Sequence, residues 1–397
     1  MDPSVPLPVD SNSNGTATTS NGAPSNGDPN GHVVTNPPGM SADEIALYDR
    51  QIRLWGVKAQ EKLRTANILL ISMKALANEI AKNLVLAGIG SMTIQDDQLV
   101  QEDDLGSQFF VSEQHIGQNR AEASAPQIRK LNPRVSLHVD TQPVKLRPPE
   151  YYIPFDMIIA TDLDLSTLST INAACRLCNR PFYAAGSHGF FGFIFADLIT
   201  HDYVLEREKS NIPTILKAET ATRSIIATAT KKEHGKLKEI VTKREIYSPI
   251  ILANSSPIPA EHTSSYRRKK AVTPLLACLR ALWEFQSISG TLPGVPEHSR
   301  ADFELFTTLA TEKHKELLLP QETLNANFLR RFLQNVGAEL APVTAFLGGQ
   351  LAQDVINVLG QREQPIQNFL LFDGEDSKGP VYALHPIFSS LDEVPLV

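Results

Sequence analysis

The chain has 397 residues and a formal net charge of −7, which argues against affinity of the whole protein for nucleic acid. Its composition, 42% hydrophobic and 20% charged, is that of an ordinary globular protein with material for two or three domains. Three cysteines are too few for a disulfide framework and suit a reducing compartment; no apolar run approaches the ~20 residues of a membrane span, and no secretory leader is expected from the opening residues.

Residues 1–40 hold no Phe, Tyr, Trp, Lys or Arg and are dense in Asn, Ser, Gly, Thr and Pro. Such a segment buries too little apolar surface to offset chain entropy, and disorder is expected. A helix is predicted from Ser41, which suits the N-cap, with Glu44 completing a capping box. It carries Ile45, Leu47, Tyr48, Ile52 and Leu54 and ends at Trp55-Gly56. A second helix is predicted over 58–65.

Residues 67–97 read as strand, helix, strand. Ile68 to Ile71 is a short apolar run suited to a buried parallel strand. Leu76, Ile80, Leu84 and Ala87 recur at helical spacing, and Gly88 and Gly90 supply stop signals. Residues 91–95 form a second strand ending at Asp96-Asp97. This is the layout of a nucleotide-binding βαβ unit. Such a unit normally carries a glycine-rich turn after its first strand, so that backbone N–H groups approach phosphates at the helix N-terminus. Here the turn is Ser72-Met73-Lys74-Ala75-Leu76-Ala77, with no glycine.

Further on, 119–131 is helical in pattern, with Pro126 expected to kink it. Residues 135–139, 155–160 and 181–185 read as strands, 165–178 as a helix and 189–197 as strongly β. The alternation predicts an α/β fold with a doubly wound, mostly parallel sheet. Residues 206–270 differ: they hold 14 Lys and Arg against 7 Asp and Glu, a local +7 that leaves −14 for the remainder. Residues 200–213 and 248–264 read as loops, and 271–335 as helices bearing Leu275, Leu276, Leu279 and Leu282. The predicted organisation is a tail at 1–40, the first part of the α/β domain at 41–205, a basic and mainly helical insertion at 206–335, and the returning part at 336–397. In the last, 341–360 is a helix with the stripe Val343, Phe346, Leu347, Leu351, Val355 and Leu359, and 369–373 and 381–384 are short strands.

Several stretches carry a resemblance. They are Tyr48-Asp49-Arg50-Gln51-Ile52-Arg53-Leu54-Trp55-Gly56, Asn83-Leu84-Val85-Leu86-Ala87-Gly88, Gly117-Gln118-Asn119-Arg120-Ala121-Glu122-Ala123, Leu131-Asn132-Pro133 and Gly348-Gly349-Gln350-Leu351-Ala352-Gln353-Asp354. Together they resemble the activating enzymes for ubiquitin and ubiquitin-like modifiers, and within them the smaller regulatory subunits of the SUMO type, the halves without a catalytic cysteine. The resemblance implies a ThiF/MoeB-like adenylation fold paired in a heterodimer with a larger catalytic subunit. ATP and magnesium would be bound by that partner and none in this chain. SUMO, and the SUMO-conjugating enzyme through the complex, would be further partners, and the nucleus the expected location. Nucleic acid and membrane are not expected partners.

The pattern of the catalytic halves can be laid on this chain. Their glycine-rich turn falls on residues 72–77. Their first aspartate falls on Asp96 and their second on Gln98; their asparagine falls on Asp104, their arginine on Ser107 and their lysine on Arg120, while Gln108-Phe109 are kept. The phosphate-directed glycines and cations are absent or altered, and Asp104 is expected to set an extra carboxylate against any triphosphate. The site is therefore expected to be degenerate. The resemblance gives Arg50 a role in trans, reaching the nucleotide phosphates of the partner. The bland alternative is an exposed helix arginine paired with Asp49 or Glu44.

Other candidates are weaker. Cys175 and Cys178 form a C-x-x-C, but Cys278 is the only other cysteine, so packing is favoured over zinc. The basic stretches 231–238 and 267–270 suit either nuclear localisation elements or a solvated face. His188 reads as a turn residue and Trp55 as a staple for the first helix. Gly348-Gly349 inside a helix costs about 1 kcal/mol each relative to Ala, for which close approach of another segment or of a partner is the expected compensation. Three alternatives remain at this stage: the regulatory subunit for the Nedd-type modifier, a self-standing Rossmann-type nucleotide-using enzyme, and a pure scaffold in which Arg50 does nothing chemical.

Overall fold

The apolar runs of the first half pair as parallel strands, as their two-sided hydrophobicity demands. A computed structural model of the protein describes residues 40–233, 235–295 and 299–386. The disorder expected for 1–40 falls, except at Met40, outside the described residues. From Ala42 onward the chain forms one compact unit.

The central sheet has eight strands among the described residues. They are β1 (Asn67–Ile71), β2 (Ser91–Gln95), β3 (Ser136–Asp140), β4 (Met157–Thr161), β5 (Phe182–His188), β6 (Phe191–Asp197) and, near the C-terminus, the pair Phe369–Asp373 and Val381–Tyr382. From the C-terminal pair inward, the sheet runs through β6, β5, β4, β1 and β2 to β3. The five strands β1 to β5 are parallel, with Ile68 opposite Met92 and Met157. β6 and the C-terminal strands add to one side antiparallel. The chain order reverses between β1 and β4, which makes that junction the topological switch point of a doubly wound sheet.

Short helices precede the sheet: α1 (Ala42–Leu47), α2 (Asp49–Trp55) and α3 (Val57–Thr65). Within it lie α4 (Ala75–Ala87), α5 (Arg120–Leu131) and α6 (Leu165–Leu177). The α5 helix runs through Pro126 as one element. One sheet face, with Ile68 and Leu70, packs on Leu76, Ile80 and Leu84 of α4 and on Leu347, Leu351 and Val355 of the helix Ala341–Gly360. The other face, with Leu69 and Ile71, packs on α6 and on helices from the middle of the chain.

Gly348 accounts for one of the two helix glycines. A Cβ there would meet the Glu79 Cβ at 2.5 Å and α4 backbone at 3.3 Å, so the two helices touch backbone to backbone. Gly349 faces open space.

The middle region departs from its sequence reading at one end. Residues 200–213 are not a loop: β7 (Thr200–Glu208), β8 (Arg223–Glu233) and β9 (Lys236–Ile246) form an antiparallel sheet in the order β7, β9, β8. Charge pairing across the strands holds it. Arg207 meets Glu239 at 2.9 Å, Arg223 meets Glu245 at 2.6 Å and Arg244 meets Asp202 at 2.7 Å. Residues 248–264 likewise contain the helices α7 (Ile250–Ser255) and α8 (Ala260–Thr263). The next stretch is helical, as expected: α9 (Tyr266–Ala271), α10 (Leu275–Ser289), α11 (Arg300–Glu316), α12 (Ala326–Asn335) and then α13 (Ala341–Gly360), with β10 (Phe369–Asp373) and β11 (Val381–Tyr382) closing the chain. Leu275, Leu279, Phe306 and Phe332 lie in the same core as α6, so α10 to α12 cover the second sheet face. No described helix is long and apolar enough to cross a membrane.

Candidate functional site

A parallel sheet offers its ligand site at the carboxyl ends of the strands, at the switch point. Here a cleft of about 320 Å³ opens there, lined by Ser72 after β1, Asp96 after β2 and Asp162 after β4, with Lys74, Arg120 and Lys145. Its geometry explains how the glycines were lost. Ser72 takes the left-handed conformation, φ 71°, that a glycine would adopt without strain. The next peptide N–H, that of Met73, donates to Asp96 Oδ2 at 2.8 Å. A donor that could face a phosphate is already engaged by a carboxylate. Met73 itself is fully buried in the core, which fixes the turn in this state.

The retained cation is engaged as well. Arg120 Nη1 lies 3.0 Å from Asp96 Oδ2, and its Nη2 lies 3.1 Å from Asp104 Oδ2. All three side chains are buried. Burial works against the guanidinium charge, but Asp96 and Asp104 outweigh it and raise the Arg120 pKa above its usual value. Asp104 also accepts from Gln108 Nε2 at 2.6 Å and from the Gln101 N–H at 2.9 Å. The expected picture of Asp104 is thereby corrected. It is not a free carboxylate set against a ligand but the second arm of a clamp on Arg120. Ser107 in turn donates to Glu339 Oε2 at 2.8 Å.

Beside the clamp, Lys74, Asp162, His188 and Glu339 share a smaller recess. Burial, then the Glu339 charge, push the Asp162 carboxyl up to about 7. Burial, then Lys74, push His188 down to about 4. Asp162 Oδ1 accepts from the Ser187 N–H at 2.9 Å, while its Oδ2 and Glu339 Oε1 have no partner among the described residues. The sequence reading named neither carboxylate. An acid directly after an apolar parallel strand was the available signal for Asp162; Glu339 carried none. His188 is partly buried and accepts from the Gly337 N–H at 3.3 Å, so it is more than a turn residue. Lys74, Arg120 and Lys145 thus share the cleft with Asp96, Asp97, Asp162 and Asp164.

Arg50 lies elsewhere. It is exposed on α2, and neither acid of the bland alternative holds it. Asp49 pairs with Arg53 at 3.0 Å, and Glu44 pairs with Arg64 at 3.0 Å and Arg134 at 3.5 Å. The α2 helix buries none of its residues, and Leu54 is 79% exposed. Its preceding residue, Tyr48, is buried and rests on Gly88, the residue that caps α4. Arg50 is thus presented at the C-terminal end of α4, whereas the cleft lies at the N-terminal end. The 13 residues of α4, about 20 Å long at 1.5 Å per residue, lie between the seat of α2 and the cleft.

The remaining candidates are structural. Cys175 and Cys278 are buried and burial raises both thiols, while Cys178 donates to the Pro149 carbonyl at 3.2 Å. Among the described residues no group of three or more His, Cys, Asp or Glu could hold a metal ion. Lys231 and Lys232 lie at the end of β8 and Lys236 and Lys238 at the start of β9, where Lys231 and Lys238 pair with Glu233; 267–270 lie on α9. Trp55 does act as a staple, donating from Nε1 to Gln60 Oε1 at 2.8 Å.

A doubly wound sheet with a switch-point cleft, in which Arg120 and the Met73 N–H are held by the chain's own carboxylates, defines a class: an α/β scaffold of the nucleotide-binding type. The sequence pattern of the ThiF family matches residues 48–386, and the chain belongs to that family. Among curated relatives, it is 37% identical over 349 residues to DNA damage tolerance protein RHC31 of Saccharomyces cerevisiae, covering 86% of this chain and 97% of that one. It is 33% identical over 345 residues to DNA damage tolerance protein rad31 of Schizosaccharomyces pombe, covering 87% and 98%. It is 32% identical over 347 residues to SUMO-activating enzyme subunit 1 of Rattus norvegicus, covering 87% and 96%.

Proposed function

We propose that this chain is the small, non-catalytic-cysteine subunit of a heterodimeric SUMO-activating enzyme. The larger subunit would bind ATP and magnesium. There the C-terminal carboxylate of SUMO attacks the α-phosphorus of ATP, pyrophosphate leaves, and the acyl adenylate passes to a cysteine thiolate of the larger subunit with release of AMP. This chain would supply interface and rigidity, and Arg50 would reach the partner's nucleotide to stabilise charge as the adenylate forms. The observation that carries this reading is the separation of Arg50 from its own cleft. It stands at the opposite end of α4, beside exposed Leu54 and Leu47, while the cleft's Arg120 and Met73 N–H are already engaged. The SUMO-conjugating enzyme would meet this chain only through the complex, and a nuclear location fits the basic stretches 231–238 and 267–270.

The test is SUMO-dependent ATP–pyrophosphate exchange and thioester formation by the reconstituted heterodimer, run against a panel of modifiers. Arg50→Ala is expected to lower exchange by about 10²-fold, the scale of losing one charge-stabilising donor. The stability of the free chain should change by no more than about 0.5 kcal/mol, as for an exposed residue. Exchange by the isolated chain would overturn the placement of ATP in the larger subunit. An unchanged rate in an intact Arg50→Ala heterodimer would leave a scaffold. Thioester formation with a Nedd-type modifier alone would move the chain to that enzyme.

A further inference from the structure

The α2 helix poses a problem of precision. It buries none of its residues, yet a guanidinium that acts on another chain's substrate must be held to within a fraction of an ångström. Its fixed points are at its two ends, and both lead to one place. The last four carbonyls of a helix have no partner within it. At the C-terminal end of α4, Val85 O takes the capping Gly88 N–H at 3.1 Å and also accepts from Asn132 Nδ2 at 3.0 Å, and Ala87 O accepts from Gln60 Nε2 at 2.9 Å. Each of these buried amides also holds an aromatic ring flanking or ending α2. Asn132 Nδ2 donates to the Tyr48 hydroxyl at 2.8 Å, and Gln60 Oε1 accepts from Trp55 Nε1 at 2.8 Å. Tyr48 immediately precedes α2 and Trp55 is its last residue.

The seat is shaped as well as bonded. Gly88, at φ 81°, lets the Tyr48 ring approach so closely that a Cβ would lie 2.5 Å from it. Arg362 Nη1 donates to the Trp55 carbonyl at 3.1 Å and closes the far end. We infer that Asn132 and Gln60 are positioning residues, which use the terminal carbonyls of α4 as a two-point mount for the helix that carries Arg50. This rests on the reading that Arg50 acts in the partner's site.

A double-mutant cycle tests it, because only coupled residues depart from additivity. Tyr48→Phe keeps the ring on Gly88 and keeps the Asn132–Val85 bond, so the fold is retained. In the reconstituted heterodimer it is expected to lower kcat for SUMO-dependent pyrophosphate exchange about fivefold, the scale of one net hydrogen bond, with KM for ATP unchanged. Asn132→Ala, which removes the Tyr48 contact and one of the two donors on the Val85 carbonyl, is expected to cost about tenfold. Neither should lower the rate further in an Arg50→Ala background. The same factor in both backgrounds, or no effect of either variant beside an active Arg50, overturns the positioning role alone. A wild-type rate for Arg50→Ala overturns the Arg50 reading itself, and the mount with it.

Discussion

The two ends of α4 have opposite fates. At the N-terminal end, where a nucleotide-binding βαβ unit presents backbone N–H groups to a phosphate, several polar groups are held by one another. The Met73 N–H is held by Asp96, and Arg120 by Asp96 and Asp104. At the C-terminal end the polar groups face other elements, and the carbonyls of Val85 and Ala87 carry the segment from Tyr48 to Trp55. A dipole and a set of unpaired backbone groups exist at both ends of any helix. What differs is whether the neighbouring side chains leave them for a ligand, cancel them, or use them as a mount. This chain engages the residue leading into one end with its own carboxylate and mounts a segment on the other.

The comparison breaks most sharply at Arg120. Arg120→Leu leaves Asp96 and Asp104 buried without their cation, and loss of one member of such a set costs about 3–5 kcal/mol. Denaturant unfolding of the free chain should show a loss of that size, and the cleft should not gain ATP affinity by calorimetry. The middle of α4 comes next. Gly348→Ala must push α13 off Glu79, at about 1–3 kcal/mol for overpacking. Gly349→Ala meets open space and should stabilise the free chain by about 1 kcal/mol through helix propensity. Any fall in heterodimer affinity on Gly349→Ala would mark that glycine as partner contact.

The last effect is one of pH, read as a slope rather than a size. Asp162 is raised to about 7 in the fold, against about 3.9 when unfolded. The folded state therefore holds more protons between these values, and the contribution of Asp162 to stability falls as pH rises through that window. Asp162→Asn removes this loss. Its stability relative to the natural chain should climb between about pH 4 and 7 and level off above. A flat difference across that range would place the Asp162 carboxyl in water rather than in the recess.

Much of this was legible in the sequence, and the reasons are specific. The βαβ unit showed because Ile68–Ile71 and the stripe Leu76, Ile80, Leu84 are apolar at the periods that burial requires. The α13 helix was read from Ala341 to Gly360 as it stands. The altered turn showed as missing glycines. Its mechanism did not, because the pairing of Arg120 with Asp104 depends on a loop bringing residue 104 back over α5. The β7–β9 sheet escaped because its signal is not apolar alternation. Glu239 and Glu245 are buried and read as surface residues until Arg207 and Arg223 are seen across the strands. The roles of Asn132 and Gln60 were hidden for a similar reason: a buried amide shows its meaning only when both of its partners are known.

The α2 helix has a consequence for the order in which parts of the molecule come undone. With no fully buried side chain of its own and Trp55 as its contact with the core, it is expected to open as a local unit on release at Tyr48 and Trp55. Such units exchange their amides far ahead of the core. A partner that covers Leu54 would supply the burial the helix lacks and suppress that opening. The arginine would then be firmly in place only where there is another subunit's nucleotide for it to meet, and the free chain would hold that outward-directed cation loosely.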